Sequence, residues 1–254
     1  MTEIEQLQMQ LKSLALHHMA EIFEEQAHKA TQAKMAYTSY LARLVEEQLL
    51  VKTDRSVQAK IRKAKFPALK TLETFDFSFQ PSLDERKVKE LAQLGFISKQ
   101  ENIVLLGPPG VGKTHLAIGL GIRACQNKIR TLFSTVTSLM DQLYTTLIDN
   151  STVEMIEGYC RFPLMIIDEL GYMSLDIQRA NLFFQLISKR YEKASTIITT
   201  NLPFEQWGTI FGQDEVIGSA ILDRFLHYCH IMPIQGNSYR VKDKLKPKQK
   251  AKLS

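Results

Sequence analysis

Glycine and proline are both missing from the first 66 residues of this 254-residue chain, so nothing there forces a break in helix. Cysteine is scarce: Cys125, Cys160 and Cys229 form no CxxC pair and leave an odd count. That excludes a disulfide scaffold and fits a reducing compartment. Wholly apolar runs such as residues 164–167 fall far short of the roughly 18 residues a membrane span needs. The opening Met-Thr-Glu-Ile-Glu-Gln has neither the basic nor the apolar region of a secretory signal. A soluble, cytoplasmic protein with no membrane partner is expected. With 44% hydrophobic and 23% charged residues, the composition excludes both a collagen-like fibre and disorder throughout, and the length suffices for a sizeable core.

The net charge of +5 is unevenly spread. Residues 1–70 carry 11 Lys/Arg against 8 Asp/Glu, residues 71–238 carry 14 against 18, and the last 16 residues carry 7 against 1. A mildly acidic body between two basic ends points to a polyanion touched at the ends. Ile4, Leu7, Leu11 and Leu14 repeat at helical spacing, the stripe of a helix that packs on another. Tyr37, Tyr40, Leu41, Leu44 and Val45 make a second apolar face. Thr53 and Asp54 read as the N-cap of a third, basic helix carrying Arg55, Lys60, Arg62, Lys63 and Lys65, which Phe66-Pro67 would end. Residues 1–67 are therefore expected to form a small helical domain.

Beyond residue 71 the pattern changes. Strands are expected at 102–106, 131–135, 164–167, 195–200 and 231–234, with helices at 113–125, 138–148 and 178–192 between them. Strands alternating with helices predict a parallel α/β sheet, here over residues 68–241. Residues 242–254 hold a lysine at nearly every second position and read as a disordered tail.

Gly107, Pro108, Pro109, Gly110, Val111, Gly112, Lys113 and Thr114 spell a complete GxxxxGK[ST] phosphate loop, set between a predicted strand and a predicted helix. Its glycines let successive N–H groups face the phosphates of a nucleotide, and the helix adds its positive end. Lys113 would reach the β- and γ-phosphates and Thr114 would offer a hydroxyl to Mg²⁺. The nucleotide-binding set is taken as 107–115, His115 included. The apolar 164–167 run ends on Asp168 and Glu169, adjacent acids with no packing use. Asp168 would hold Mg²⁺ through its water shell and Glu169 would polarise an attacking water. Another predicted strand ends on Asn201, which could hydrogen-bond the γ-phosphate or that water. Ligands of open α/β sheets sit at the carboxyl ends of the strands, where Gly107, Asp168 and Asn201 all fall. Arg224 follows apolar Ile221 and Leu222 on a short helix and could reach a neighbouring subunit's γ-phosphate. Arg240, just after the last strand, could contact nucleotide within its own chain. His227, Cys229 and His230 lack a second ligand cluster, so no metal site is expected there.

Five blocks in order resemble the IstB-like family: Ile167–Tyr172, Leu182–Tyr191, Thr200–Trp207, Ala220–His227 and Gly236–Lys242. Phe66-Pro67 and Lys70–Phe77 add to the match. Members of that family are ATP-binding helpers of insertion-sequence transposition, related to DnaC helicase loaders and DnaA among the AAA+ ATPases. The resemblance implies a five-stranded AAA+ sheet and ATP with Mg²⁺ as cofactors. It implies Walker A at 107–114, Walker B at 164–169, Asn201 as sensor I, Arg224 as arginine finger and Arg240 as sensor II. It further implies double-stranded DNA, a transposase of the same element and further copies of the chain, in a ring, spiral or filament, as partners. Between Phe225 and Gly236 there is room only for a turn and a strand, so the usual C-terminal helical lid is expected to be absent. A DnaC-like helicase loader, a non-hydrolysing nucleotide-gated scaffold and a small-molecule kinase are the competing functions.

Overall fold

The computed structural model describes residues 2–212 and 214–242 and divides the chain into two compact units, one up to Ala59 and one from Lys60 onward. Of the basic tail expected over 242–254, Lys242 is ordered by its contact with Asp76, and residues 243–254 lie outside the described residues.

The first unit is helical. It holds α1 (Glu3–Ser13), α2 (His17–Gln32) and most of α3 (Tyr37–Lys63). Thr2 and Glu5 exchange hydrogen bonds in a capping box that opens α1. Met19, Phe23 and Leu44 form a small core joined by Leu11 and Tyr40. Buried Gln48 accepts the Met19 N–H at 2.9 Å, and the Tyr40 hydroxyl donates to the Phe23 carbonyl at 2.9 Å. Of the α1 stripe only Leu11 packs, while Ile4, Leu7 and Leu14 are exposed.

The basic segment is not a separate helix. Thr53 and Asp54 lie inside α3, which runs unbroken for 27 residues because no glycine or proline interrupts it. It ends before Phe66-Pro67, where Lys65 turns left-handed at φ +61°, and Lys65 is therefore past the helix.

In the second unit α4 (Glu85–Leu91) and α5 (Gly95–Ser98) precede β1 (Asn102–Leu106), α6 (Lys113–Gln126), β2 (Thr131–Thr135), α7 (Val136–Asp149) and α8 (Thr152–Cys160). Then come β3 (Leu164–Leu170), α9 (Ile177–Arg190), β4 (Ser195–Thr200), α10 (Trp207–Ile210), α11 (Glu215–Leu226) and β5 (Cys229–Pro233). The five strands pair in parallel in the order β2-β3-β4-β1-β5. Alternation along each strand sends side chains to opposite faces. Met165, Ile167 and Ile198 join one core with α7 to α11, and Leu164, Ile166 and Ile197 join the other with α6. Burial on both faces explains why the strands read as unbroken apolar runs. This is the parallel sheet with helices on both faces that the sequence predicts. After β5 the described residues form only a 3-10 turn, Tyr239–Val241, and no helical lid. No helix among the described residues is long and apolar enough to cross a membrane.

Two differences in this unit bear on function. The third strand does not stop at Ile167 but continues through Leu170, so the acid pair lies within it. Arg190, part of a block noted only for its resemblance, is 1% exposed at the end of α9. It donates to Thr196 Oγ1 and to the carbonyls of Tyr159, Phe162 and Ser195 at 2.6–3.0 Å, tying α8, α9 and β4 together. Burial lowers its pKa to about 10. Arg190→Ala would strand those carbonyls and leave a void, so it is expected to cost on the order of 3–5 kcal/mol. An unchanged urea midpoint would contradict that assignment.

Candidate functional site

The phosphate loop spans β1 and α6, as the motif requires. Gly110 and Gly112 take φ of +83° and +102°, which side chains rarely adopt. A Cβ at Gly112 would lie 2.6 Å from the Phe75 ring, and one at Gly110 would lie 2.0 Å from Ser238 Oγ. Glycine is needed for conformation and for space. Val111 is buried in the core beneath the loop.

Lys113 opens α6 and is 7% exposed. Its Nζ donates to the carbonyls of Gly107 at 2.6 Å and Pro108 at 2.8 Å. Burial pushes its pKa below the usual lysine range and the nearby Arg240 adds to this, while Asp168 and Glu169 pull the other way. The next residue, Thr114, donates its hydroxyl to Asp168 Oδ1 at 2.9 Å and Oδ2 at 3.1 Å. His115 Nε2 lies 2.8 Å from the Thr71 carbonyl, and its ring meets Phe75 edge-on at 5.2 Å. Burial lowers the His115 pKa.

Asp168 is 4% exposed, and Glu169 beside it is exposed. That contrast has a backbone cause. The register shifts between Ile167 and Leu170, and Glu169 turns left-handed at φ +67°. The resulting bulge leaves one acid in the sheet and puts the other at the cleft. Below them Thr199 of β4, whose role its sequence context did not reveal, donates to Asp168 Oδ1 at 2.5 Å. Its Oγ1 also accepts the Glu169 N–H at 2.9 Å.

A cleft partly open to solvent is lined by Gly110–His115, Glu169, Thr199 and Arg240. Its far wall, which motif reading missed, is built from Lys70, Thr74, Phe75, Asp76 and Gln80 with Tyr239. Residues 234–242 cross from β5 to that wall. The Ile234 N–H donates to the Leu106 carbonyl, and the Tyr239 N–H to the Gly110 carbonyl at 2.9 Å. Gln80 Nε2 donates to the Asn237 carbonyl at 3.0 Å. Lys242 Nζ donates to Asp76 and lies over the Phe79 and Tyr239 rings. With Ser78 also donating, Asp76 is held at a pKa of about 2. Arg240 thus shares one cleft with Lys113.

Asn201 directly follows β4, and its Oδ1 is buried without a hydrogen-bond partner. Arg224 does not line the cleft. Its guanidinium lies over the Phe184 ring at 4.9 Å and donates to the Ala220 carbonyl at 3.1 Å, so it is folded back onto the chain rather than projecting freely. Arg55, Arg62, Lys63 and Lys65 are exposed and Lys60 is half-buried. His227 pairs with the Tyr191 hydroxyl and His230 with Glu101.

The arrangement suits a nucleotide with a divalent ion: a glycine cradle, a buried ammonium, a hydroxyl beside a carboxylate, and an orphaned amide oxygen at the neighbouring strand end. The family model described as IstB-like ATP binding protein matches residues 9–247. A protein of Geobacillus stearothermophilus named for insertion sequence IS5376 and for ATP binding is 41% identical, over 94% of this chain and 95% of its own. One from Pseudomonas aeruginosa, named for IS21 and ATP binding, is 39% identical over 95% and 91%. Among solved structures, DnaI is similar at a TM-score of 0.55 and 21% identity, covering 70% of this chain and 93% of its own. The replication initiator DnaA, bound to AMPPCP and single-stranded DNA, is similar at 0.56 and 20%, covering 72% and 56%. These two likenesses are of fold.

Proposed function

This chain belongs to the IstB-like family of ATP-binding proteins, and we propose that it is a DNA-binding AAA+ ATPase that assists the transposase of its own mobile element. The observation that carries this proposal is that Lys113, Thr114 and Glu169 line one cleft floored by the phosphate loop, with Asp168 hydrogen-bonded to Thr114 behind it. Backbone N–H groups of 107–112 bind the phosphates, and Lys113 turns from loop carbonyls to the β- and γ-phosphates. Thr114, and Asp168 through the water shell, would hold Mg²⁺, which would neutralise phosphate charge when bound. Glu169 takes a proton from the attacking water. Asn201 orients that water or the γ-phosphate with its unpaired amide, and Arg240 meets the phosphates in cis. Arg224 serves a neighbouring copy in an assembled ring, spiral or filament.

Relatives named for insertion sequences along nearly their whole length favour a transposase over a replicative helicase as the partner. Pull-down with each separates the two. Phosphate release measured with and without duplex DNA tests the enzymatic part. No release under either condition would leave a nucleotide-gated scaffold.

DNA is expected to be held electrostatically, through Arg55, Lys60, Arg62, Lys63 and Lys65. Neutralising one side chain that pairs with a DNA phosphate should flatten the log–log salt dependence by about 0.9 on duplex DNA. Neutralising all five should weaken binding equally on unrelated sequences. If slope and affinity both stay put, that basic segment is a solvated face.

A further inference from the structure

The hydroxyl of Thr199 sits between the carboxylate of Asp168 and the main-chain N–H of Glu169, and packing does not require a hydroxyl there. Its strand neighbours Ile197 and Ile198 are wholly buried apolar residues, and Thr199 is itself 1% exposed. Valine would fill the same space. A hydroxyl has one proton to give and lone pairs to receive with. Asp168 is an acceptor when ionised, so the Thr199 proton goes to Oδ1 of Asp168, and a lone pair takes the Glu169 N–H.

That second bond falls where main-chain pairing is disturbed. At the bulge one extra residue of β3 faces β4, and Glu169 is left-handed. A bulged residue loses its ladder partner. Here a side chain of β4 takes the partner's place. One hydroxyl therefore holds the carboxylate of Asp168 and the backbone of Glu169 together. We propose that Thr199 is a positioning residue that sets the separation of the acid pair, a role that rests on the hydrolytic reading given above. Thr114, the other hydroxyl on Asp168, belongs to the phosphate loop and makes no bond to Glu169 among the described residues. Among the described residues Thr199 alone bonds to both acids.

The test uses the full chain with Thr199→Val, Thr199→Ala and Thr199→Ser, each measured in two ways. Val and Ala should lower kcat about 10–100-fold with KM for ATP unchanged, the usual loss when a partner behind a ligand is removed. The Mg²⁺ concentration needed for half-maximal binding of a fluorescent ATP analogue should rise about tenfold in the same two variants. Ser keeps the hydroxyl and should restore both. Alanine carries the comparison if valine does not fold. Wild-type kcat together with wild-type Mg²⁺ dependence in Val or Ala would overturn the proposal, and so would a serine variant as impaired as valine. If the unaltered chain hydrolyses no ATP, the hydrolytic reading fails, and the Mg²⁺ titration still decides the role of Thr199.

Discussion

Glu169→Gln should bind ATP as tightly as the unaltered chain and turn it over about 10²–10⁴-fold more slowly, the span over which a positioned general base contributes. The reason is local. What places Glu169 at the cleft is main chain: a bulge, a φ of +67° and an N–H donated to Thr199. Glutamine has the same length and branching, so it keeps all three and loses only the basic oxygen. Lys113→Ala should fail one step earlier, because it deletes the buried ammonium of the phosphate cradle. Titration with a fluorescent nucleotide separates them: glutamine retains the binding curve and alanine flattens it. Unchanged affinity in the alanine variant, or full phosphate release in the glutamine variant, would refute these roles.

Lys113 and Glu169 are legible in the sequence because phosphate binding depends on backbone, and backbone demands leave local marks. Gly110 and Gly112 are glycine because of their φ and their neighbours, so a short spacing pattern suffices to find them. The apolar run 164–167 announced a strand buried on both faces for the same kind of reason. What stayed hidden was set by pairings distant in sequence. Gln80 meets Asn237 and Lys242 meets Asp76 across more than 150 residues, and isolated polar residues carry no periodicity that would pair them. A lone cation at the end of a helix carries no local mark of burial, yet Arg190 is buried because four oxygens from other elements converge on it. Thr53 and Asp54 have the chemistry of a cap without the function of one. Their polar side chains face solvent, and nothing in α3 obliges the backbone to leave the helix there. The bulge at Glu169 is hidden for a related reason: it arises from pairing between strands, and the run from Leu164 to Leu170 contains no glycine to signal it.

Hydrolysis should depend on assembly, through Arg224. Ile221 and Phe225 anchor α11 in the core, and the guanidinium between them rests over Phe184 with one hydrogen bond to the Ala220 carbonyl. Both holds are weak. A cation over an aromatic face contributes about 0.5–1 kcal/mol at a partly exposed site, and a single hydrogen bond adds about the same. A phosphate group presented by an adjoining copy would outcompete them, because it would offer a charge-assisted, bidentate partner. An arginine finger is worth about 10³–10⁵ in rate, so Arg224→Ala should bind ATP and be nearly inactive. Glu169→Gln is inactive too, but its defect lies on the opposite side of the same interface. Mixed at equal concentration, the two variants should regain activity, since some interfaces then join an intact arginine to an intact acid pair. Recovery should vanish when either variant is in large excess, because such interfaces become rare. With assembly verified by light scattering, the absence of recovery at every ratio would place Arg224 within its own subunit's chemistry or outside the reaction altogether.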